Sequence, residues 1–206
     1  MRHRNIDVQV LLGLLAVSLA GLLLVGVAMA RTEALPKPFR IPPPPQFDLR
    51  LSATGEHFEF TGLVDFGLTE ALRSIVREHP DVKRIVLESQ GGYIAEARGA
   101  VTVLRAEGIA THVRGHCASA CALIFAGGQI RTLDPEAQLG LHGYALLSGR
   151  QYGMIDPNAE MQRDLAIYRA QGLEESFIER IAELPQNPMW YPSHADLRAA
   201  GFVTGP

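Results

Sequence analysis

The chain has 206 residues, of which 47% are hydrophobic and 20% are charged. Its 22 acidic and 19 basic side chains nearly cancel, and the formal net charge is −3 at pH 7. Because no cluster of Lys and Arg supplies the positive surface that nucleic acids require, we exclude nucleic-acid binding and expect no nucleic-acid partner.

A basic start and a long apolar stretch make up the first thirty residues. Arg2 and Arg4 precede an uncharged run over residues 8–30, which as a helix is long enough for a hydrocarbon core about 30 Å thick. We therefore predict that residues 1–34 contain one transmembrane helix, and basic residues before the span favour an amino terminus inside the cell. Residues 28–30 (Ala-Met-Ala) also match a signal-peptide cleavage pattern, which leaves secretion as the alternative.

In both cases the rest of the chain lies outside the cytoplasm. The abundance of Gly, Ala and Leu is typical of a bacterial protein, so we expect a single-pass protein of the bacterial inner membrane with its folded domain in the periplasm. Residues 35–46 contain six prolines, a composition that extends the backbone and predicts a stiff linker. Residues 47–206 are long enough for one α/β domain with a sizeable core.

Predicted strands and helices alternate through this domain. The strands cover residues 47–51, 57–63, 86–89 and 110–114, and the helices cover residues 68–76, 94–104, 120–126, 161–170 and 174–184. Alternation of strand and helix favours parallel strand pairing and a layered α/β fold.

Ser119 lies among small residues, where the strand at 110–114 gives way to the helix at 120–126. Its hydroxyl would stand at the positive end of that helix, and the amide of Ala120 would be free to donate to a developing oxyanion. Small neighbours leave room for a substrate carbonyl. This arrangement predicts a nucleophile, and the alternative is an ordinary helix N-cap.

Two further segments place paired glycines after a predicted strand and a histidine after an apolar stretch. Gly91 and Gly92 follow the strand at 86–89, and paired glycines either let the main chain approach a ligand closely or make a plain tight turn. Residues 138–143 deliver His142 between two glycines. A serine nucleophile needs a proton acceptor that titrates near neutrality, and imidazole meets that need. The alternative is a core histidine without a chemical role.

Taken in order, these three segments resemble the proteolytic subunit of the Clp protease and its membrane-associated relatives in the crotonase-like superfamily. The resemblance covers residues 58–203 and includes a fourth segment, residues 193–202, near the carboxyl terminus. It implies a layered α/β fold of repeated β-β-α units, a peptide or unfolded protein as substrate, and assembly into a homo-oligomer. We expect no cofactor.

The resemblance also implies roles for individual residues. Ser119 takes the place of the nucleophile and His142 that of the base. Gly92 and Ala120 take the places of the two amide donors of the oxyanion hole, and Gly91 lies beside the substrate.

The family's third catalytic residue, an aspartate, has no counterpart here, because no Asp occurs between Asp164 and Asp196. Asn187 is the candidate that we prefer by position, since an amide can hold an imidazole in the required tautomer. Glu183 is the alternative. If neither residue serves, the site is a Ser-His dyad or has lost its activity.

Cys117 and Cys121 are the only cysteines, and they flank the predicted nucleophile. Outside the cytoplasm an even number of cysteines favours a disulfide, which would brace the turn. The alternative is two buried thiols, because the spacing is marginal for the Cα separation that a disulfide needs. His112 and His116 complete no set of four ligands, so we predict no metal site.

These features predict a membrane-anchored, extracytoplasmic serine peptidase that hydrolyses peptide bonds through Ser119 and His142 with a backbone oxyanion hole. Two alternatives from other classes stay open. A crotonase-like acyl-thioester enzyme would use the same amide donors without a Ser-His pair, and an inactive Clp-like interaction module would explain the missing aspartate.

Overall fold

The structure is a computed structural model that describes residues 12, 17, 44–144 and 156–205. The chain divides into two units, Met1–Pro43 and Pro44–Pro206. In the first unit Leu12 and Val17 are helical. The rest of the predicted anchor and the predicted linker up to residue 43 lie outside the described residues. No helix among the described residues has the length and apolar character needed to cross a membrane.

The second unit is built on a six-stranded sheet. Its strands are β1 (Phe47–Leu51), β2 (Phe58–Gly62), β3 (Arg84–Ser89), β4 (Ala110–Ala118), β5 (Arg131–Leu133) and β6 (Gln138–Gly140). They follow the order β1-β2-β3-β4-β5, and β6 also pairs with β4. The first two strands form an antiparallel pair, whereas all other pairs are parallel. The parallel pairing expected from the alternation of strands and helices is confirmed.

Within residues 44–144 and 156–205, helices connect and cover these strands. They are α1 (Leu68–Glu78), α2 (Ile94–Glu107), α3 (Ala120–Ala126), α4 (Pro157–Ala170), α5 (Glu175–Ala182) and α6 (His194–Ala199). Parallel neighbours need a crossover, which α1 provides between β2 and β3 and α2 provides between β3 and β4. α1 buries Leu68, Leu72 and Val76 at helical spacing. α3 is apolar throughout, and each of its residues is buried.

β4 organises the sheet around the predicted nucleophile. The sequence predicts this strand over residues 110–114, but it continues to Ala118 because its carboxyl half finds partners on both edges. Cys117 lies opposite Ser89 of β3, and Ala118 lies opposite Gly140 of β6. The carboxyl ends of three parallel strands therefore lie side by side where the chain turns into α3.

Glu96 on α2 holds the first turn of α1. Its carboxylate accepts hydrogen bonds from the amides of Gly67 and Thr69, at 3.1 and 2.9 Å, and from the Thr69 hydroxyl at 2.6 Å. Burial alone would raise the pKa of Glu96, but these hydrogen bonds outweigh burial and lower it. Since the N-cap residue Gly67 has no side chain, the ionised carboxylate of Glu96 replaces the missing cap.

We expect Glu96→Gln to lower the free energy of unfolding by about 1 to 2 kcal/mol, because hydrogen bonds to a charged acceptor are stronger than those to an amide. The pKa of Glu96 is lowered by folding, so its contribution is present above the unfolded pKa and is lost as pH falls through the folded pKa. Urea titrations at neutral and at strongly acidic pH measure both effects.

The matched control is Glu70→Gln in the first turn of α1, the helix that Glu96 caps. Its carboxylate is exposed and forms two long ion pairs, at 3.6 Å with Arg73 and at 3.5 Å with Arg77. Because exposed ion pairs contribute little, its replacement should change the free energy of unfolding by less than about 0.5 kcal/mol. Equal losses in the two variants would contradict the capping role of Glu96.

Candidate active site

Ser119 is the junction between strand and helix, because β4 ends at Ala118 and α3 begins at Ala120. Its φ is 57° and its ψ is −123°, and among the described residues it alone combines a positive φ with a side chain. Although Ser119 occupies the N-cap position, its side chain makes no capping hydrogen bond. The N-cap reading therefore does not account for this serine. Its amide donates to the carbonyl of Gly140 at 2.8 Å, which ties the turn to β6.

The hydroxyl of Ser119 meets the imidazole of His142 instead. Ser119 Oγ lies 2.7 Å from His142 Nε2, and His142 Nδ1 lies 2.6 Å from the carbonyl oxygen of Gly143. A carbonyl oxygen can only accept, so Nδ1 carries the proton and Nε2 accepts from the serine hydroxyl. This tautomer is the one that a general base needs.

Two backbone contacts fix the segment that carries this histidine. Leu141 and Trp190 exchange a pair of hydrogen bonds, each 2.8 Å long. Gly143 donates to the carbonyl of Pro185 at 2.8 Å, and a side chain at position 143 would overlap the carbonyl oxygen of Leu184. The histidine is thus held against the segment between α5 and α6.

The structure does not place Asn187 or Glu183 beside the imidazole. Both residues are exposed, and neither forms a hydrogen bond with His142 in the part of the chain that the structure describes. The carbonyl of Gly143 fills the position at Nδ1 for which Asn187 was preferred. A backbone carbonyl leaves no sequence signal, because every residue carries one. Ser119 and His142 are brought together, whereas Asn187 is not.

Gly91 of the glycine pair lies against Ser119, and Gly92 lies against Val64. Gly91 and Gly92 have φ values of 100° and 148°, which disfavour residues with side chains. A Cβ atom at Gly91 would lie 2.8 Å from Ser119 Cβ and 3.0 Å from the amide nitrogen of Ala120. The Gly91 amide donates to Ser89 Oγ at 3.0 Å. The main chain at Gly91 therefore lies in close contact with the turn at Ser119.

The amides of Gly92 and Ala120 are the two donors that the sequence predicts for an oxyanion hole. Neither donates a hydrogen bond to any other residue of 44–144 or 156–205. Around Gly92, the hydrogen bonds with Val64 are made instead by the carbonyl of Gly91 and the amide of Tyr93. Ser119 and His142 thus form a hydroxyl paired with an imidazole, and the predicted amide donors make no competing hydrogen bond. Such groups are the ones needed for attack on a carbonyl.

Cys117 and Cys121 form a disulfide across the turn. Their Cα atoms are 5.3 Å apart, within the limit of about 7 Å for such a bond, and both residues are fully buried. The bridge joins the end of β4 to the first turn of α3, so it fixes both sides of Ser119. Of the two alternatives left open by the sequence, the structure contains the disulfide.

No group of three or more His, Cys, Asp or Glu side chains converges as metal ligands would within the described ranges. The groups that do converge at Ser119 are one hydroxyl, one imidazole and main-chain amides. Their chemistry is that of proton transfer and hydrogen bonding to a reacting carbonyl.

Comparison with solved structures identifies the fold. A mutant of ClpP1 from Listeria monocytogenes matches this chain with a TM-score of 0.58 at 15% sequence identity, over 72% of this chain and 88% of the ClpP1 chain. No protein-family model matches the sequence, and no curated protein matches it. At this level of identity the likeness shows the fold alone. The predicted Clp-type, crotonase-like α/β architecture is confirmed.

We expect replacement of both Cys117 and Cys121 by Ala to lower the free energy of unfolding by about 2 kcal/mol, the chain-entropy value for so short a closed loop. Urea titrations of oxidised wild type and of the double variant measure the loss. The same titrations with both proteins fully reduced are the control, because the difference should then disappear. A difference of equal size under reduction would assign the loss to packing and not to the bond.

We expect Gly91→Ala to lower the free energy of unfolding by more than about 2 kcal/mol, since it combines an unfavourable φ with overlap of the new Cβ with the Ala118 carbonyl oxygen and Ser119 Cβ. Gly172→Ala is the matched control. Gly172 also has a positive φ, 78°, but no atom lies within 4 Å of its added Cβ. Urea titration should therefore show the smaller loss for Gly172→Ala, and equal losses would contradict the close approach of Gly91 to the nucleophile.

Proposed function

We propose that this chain is a serine peptidase of the bacterial inner membrane, anchored by its N-terminal segment and carrying its folded domain in the periplasm. The observation that carries the proposal is the 2.7 Å contact between Ser119 Oγ and His142 Nε2 in a Clp-type fold. A serine hydroxyl that donates to a correctly protonated imidazole is an activated nucleophile.

The proposed reaction begins when Ser119 Oγ attacks the carbonyl carbon of a peptide and His142 Nε2 accepts the hydroxyl proton. The amides of Gly92 and Ala120 donate to the oxyanion of the tetrahedral intermediate. The imidazolium then gives its proton to the amine leaving group as the C–N bond breaks, which leaves an acyl-enzyme. Water, deprotonated by the imidazole, hydrolyses the ester and restores the serine hydroxyl.

The disulfide between Cys117 and Cys121 supports a location outside the cytoplasm, because such bonds persist in oxidising compartments and are rare in the cytosol. The apolar run over residues 8–30 and the proline-rich linker support attachment to the membrane at a short distance. We include a homo-oligomer and a peptide or unfolded protein substrate in the proposal, on the ground of the Clp-type fold.

One observation favours a second candidate, an inactive Clp-like interaction module. Nδ1 of His142 meets the neutral carbonyl of Gly143 and not a carboxylate. A neutral partner stabilises an imidazolium less than a carboxylate does. Such a module would keep the fold and bind a partner without turning over a substrate.

Labelling with a fluorophosphonate, which reacts with activated serine hydroxyls, separates the two candidates. We expect wild type to be labelled at Ser119 and Ser119→Ala to take up no label. His142→Ala should label at least about a hundredfold more slowly, because the general base is lost.

Ser193→Ala is the matched control for this labelling. Ser193 caps α6 through its own hydroxyl, so its variant should be labelled like wild type. A folded wild type that takes up no label, or a Ser119→Ala variant that keeps it, would overturn the peptidase proposal.

A further inference from the structure

Tyr144, two residues after His142 in the chain, belongs to a cluster of buried and half-buried polar side chains. The cluster joins Tyr144, Arg98 of α2, and Glu160 and Asp164 of α4, and we call it the Asp164 cluster. Asp164 is fully buried, at 0% exposure. A buried carboxylate persists only when charged or hydrogen-bonded partners surround it.

Every contact of Asp164 in this cluster is charged or polar. Arg98 Nε lies 2.5 Å from Asp164 Oδ1, and Arg98 Nη2 lies 3.1 Å from Asp164 Oδ2. The hydroxyl of Tyr144 donates to the same Oδ2 atom. Arg98 also bonds the side chain of Glu160 and, at 2.9 Å, its carbonyl oxygen. The guanidinium therefore neutralises the buried carboxylate, and the tyrosine completes its hydrogen bonding.

The pKa shifts of Tyr144 and Arg98 keep both side chains protonated, as their hydrogen bonds to Asp164 require. Burial raises the pKa of Tyr144 well above its usual range, so the phenol stays protonated and donates. Burial works against the charge of Arg98, but hydrogen bonds with Asp164 and Glu160 outweigh it and raise the pKa of the guanidinium. Tyr168 lies one turn along α4 from Asp164, and burial also raises its pKa.

Tyr144 connects this cluster to the imidazole through one peptide group. The carbonyl of Gly143, which accepts from His142 Nδ1 at 2.6 Å, lies in the same peptide plane as the nitrogen of Tyr144. The direction of that carbonyl therefore depends on where Tyr144 is held. On the other side, the Gly143 amide is held by Pro185.

We propose that Tyr144 and Asp164 are positioning residues for the base, because Asp164 holds Tyr144, and Tyr144 holds the Gly143 carbonyl that fixes the tautomer of His142. This inference rests on the proposed peptidase function and deepens it. The site thus has a buried carboxylate that acts on the imidazole through a tyrosine and a peptide group. No carboxylate touches the ring among the described residues.

The test variant is Tyr144→Phe, which removes only the hydroxyl and leaves the pair of Arg98 and Asp164 in place. We expect the second-order rate constant for fluorophosphonate labelling to fall about tenfold, as the loss of one hydrogen bond to a charged group predicts. The ¹⁵N chemical shifts of His142 should change from those of a single Nδ1-protonated tautomer to those of a mixture. A loss of stability alone would not change the tautomer of the folded protein.

Tyr168→Phe is the matched control, because Tyr168 is a buried tyrosine one turn from Asp164 whose hydroxyl forms no hydrogen bond with Asp164. It should keep the wild-type labelling rate and tautomer. Wild-type values of either quantity in Tyr144→Phe would overturn the positioning role.

The experiment separates this inference from the peptidase proposal itself. If folded wild type is not labelled at all, the peptidase proposal fails, and the tautomer of His142 in Tyr144→Phe decides the positioning role alone. If wild type is labelled and Tyr144→Phe matches it, the peptidase proposal stands and the positioning role fails.

Discussion

The geometry of the site depends on the backbone of Ser119, a residue with a side chain held at a φ of 57°. Such a conformation costs about 1 to 3 kcal/mol and persists only where the surrounding structure fixes it. Here β4 pairs with β3 up to Cys117 and with β6 up to Ala118, α3 is buried on every side, and the Ser119 amide is bonded to Gly140. The turn cannot relax into an ordinary N-cap, so the hydroxyl stays with His142.

Parallel pairing decides which segments meet this hydroxyl. The carboxyl ends of parallel strands lie at one edge of a sheet. β3 therefore delivers Gly91 and Gly92 to the same edge at which β4 delivers Ser119 and β6 delivers His142. Because side chains alternate along a strand, a shift of one residue in any of these pairings would turn the wrong face toward the site. The register of the sheet therefore determines which groups can meet at the site.

Sequence patterns predicted the parts of the site that have a local signature. The glycine pair and the serine each lie within a few residues of a predicted strand, and the histidine follows an apolar stretch that the structure shows to contain β6. The contact of Arg98 with Asp164 spans 66 residues, and both appear in the sequence as ordinary polar positions on helix faces. The preference for Asn187 assumed a side chain at Nδ1, where the structure has the Gly143 carbonyl. The N-terminal anchor stays a prediction from sequence.

The two functions of a triad carboxylate, orientation and charge, are separated in this molecule. Removing the carboxylate of a serine protease triad leaves the wrong tautomer and lowers kcat by about 10⁴-fold. Here the Gly143 carbonyl accepts from Nδ1 and so keeps the tautomer in which Nε2 can act as a base. The part of the loss in kcat that comes from a wrong tautomer is therefore not expected. The charge of Asp164 is paired with Arg98 and does not offset an imidazolium. If the proposed peptidase activity is present, its rate should therefore be higher than in a site with a misoriented histidine and lower than in one with a carboxylate at Nδ1.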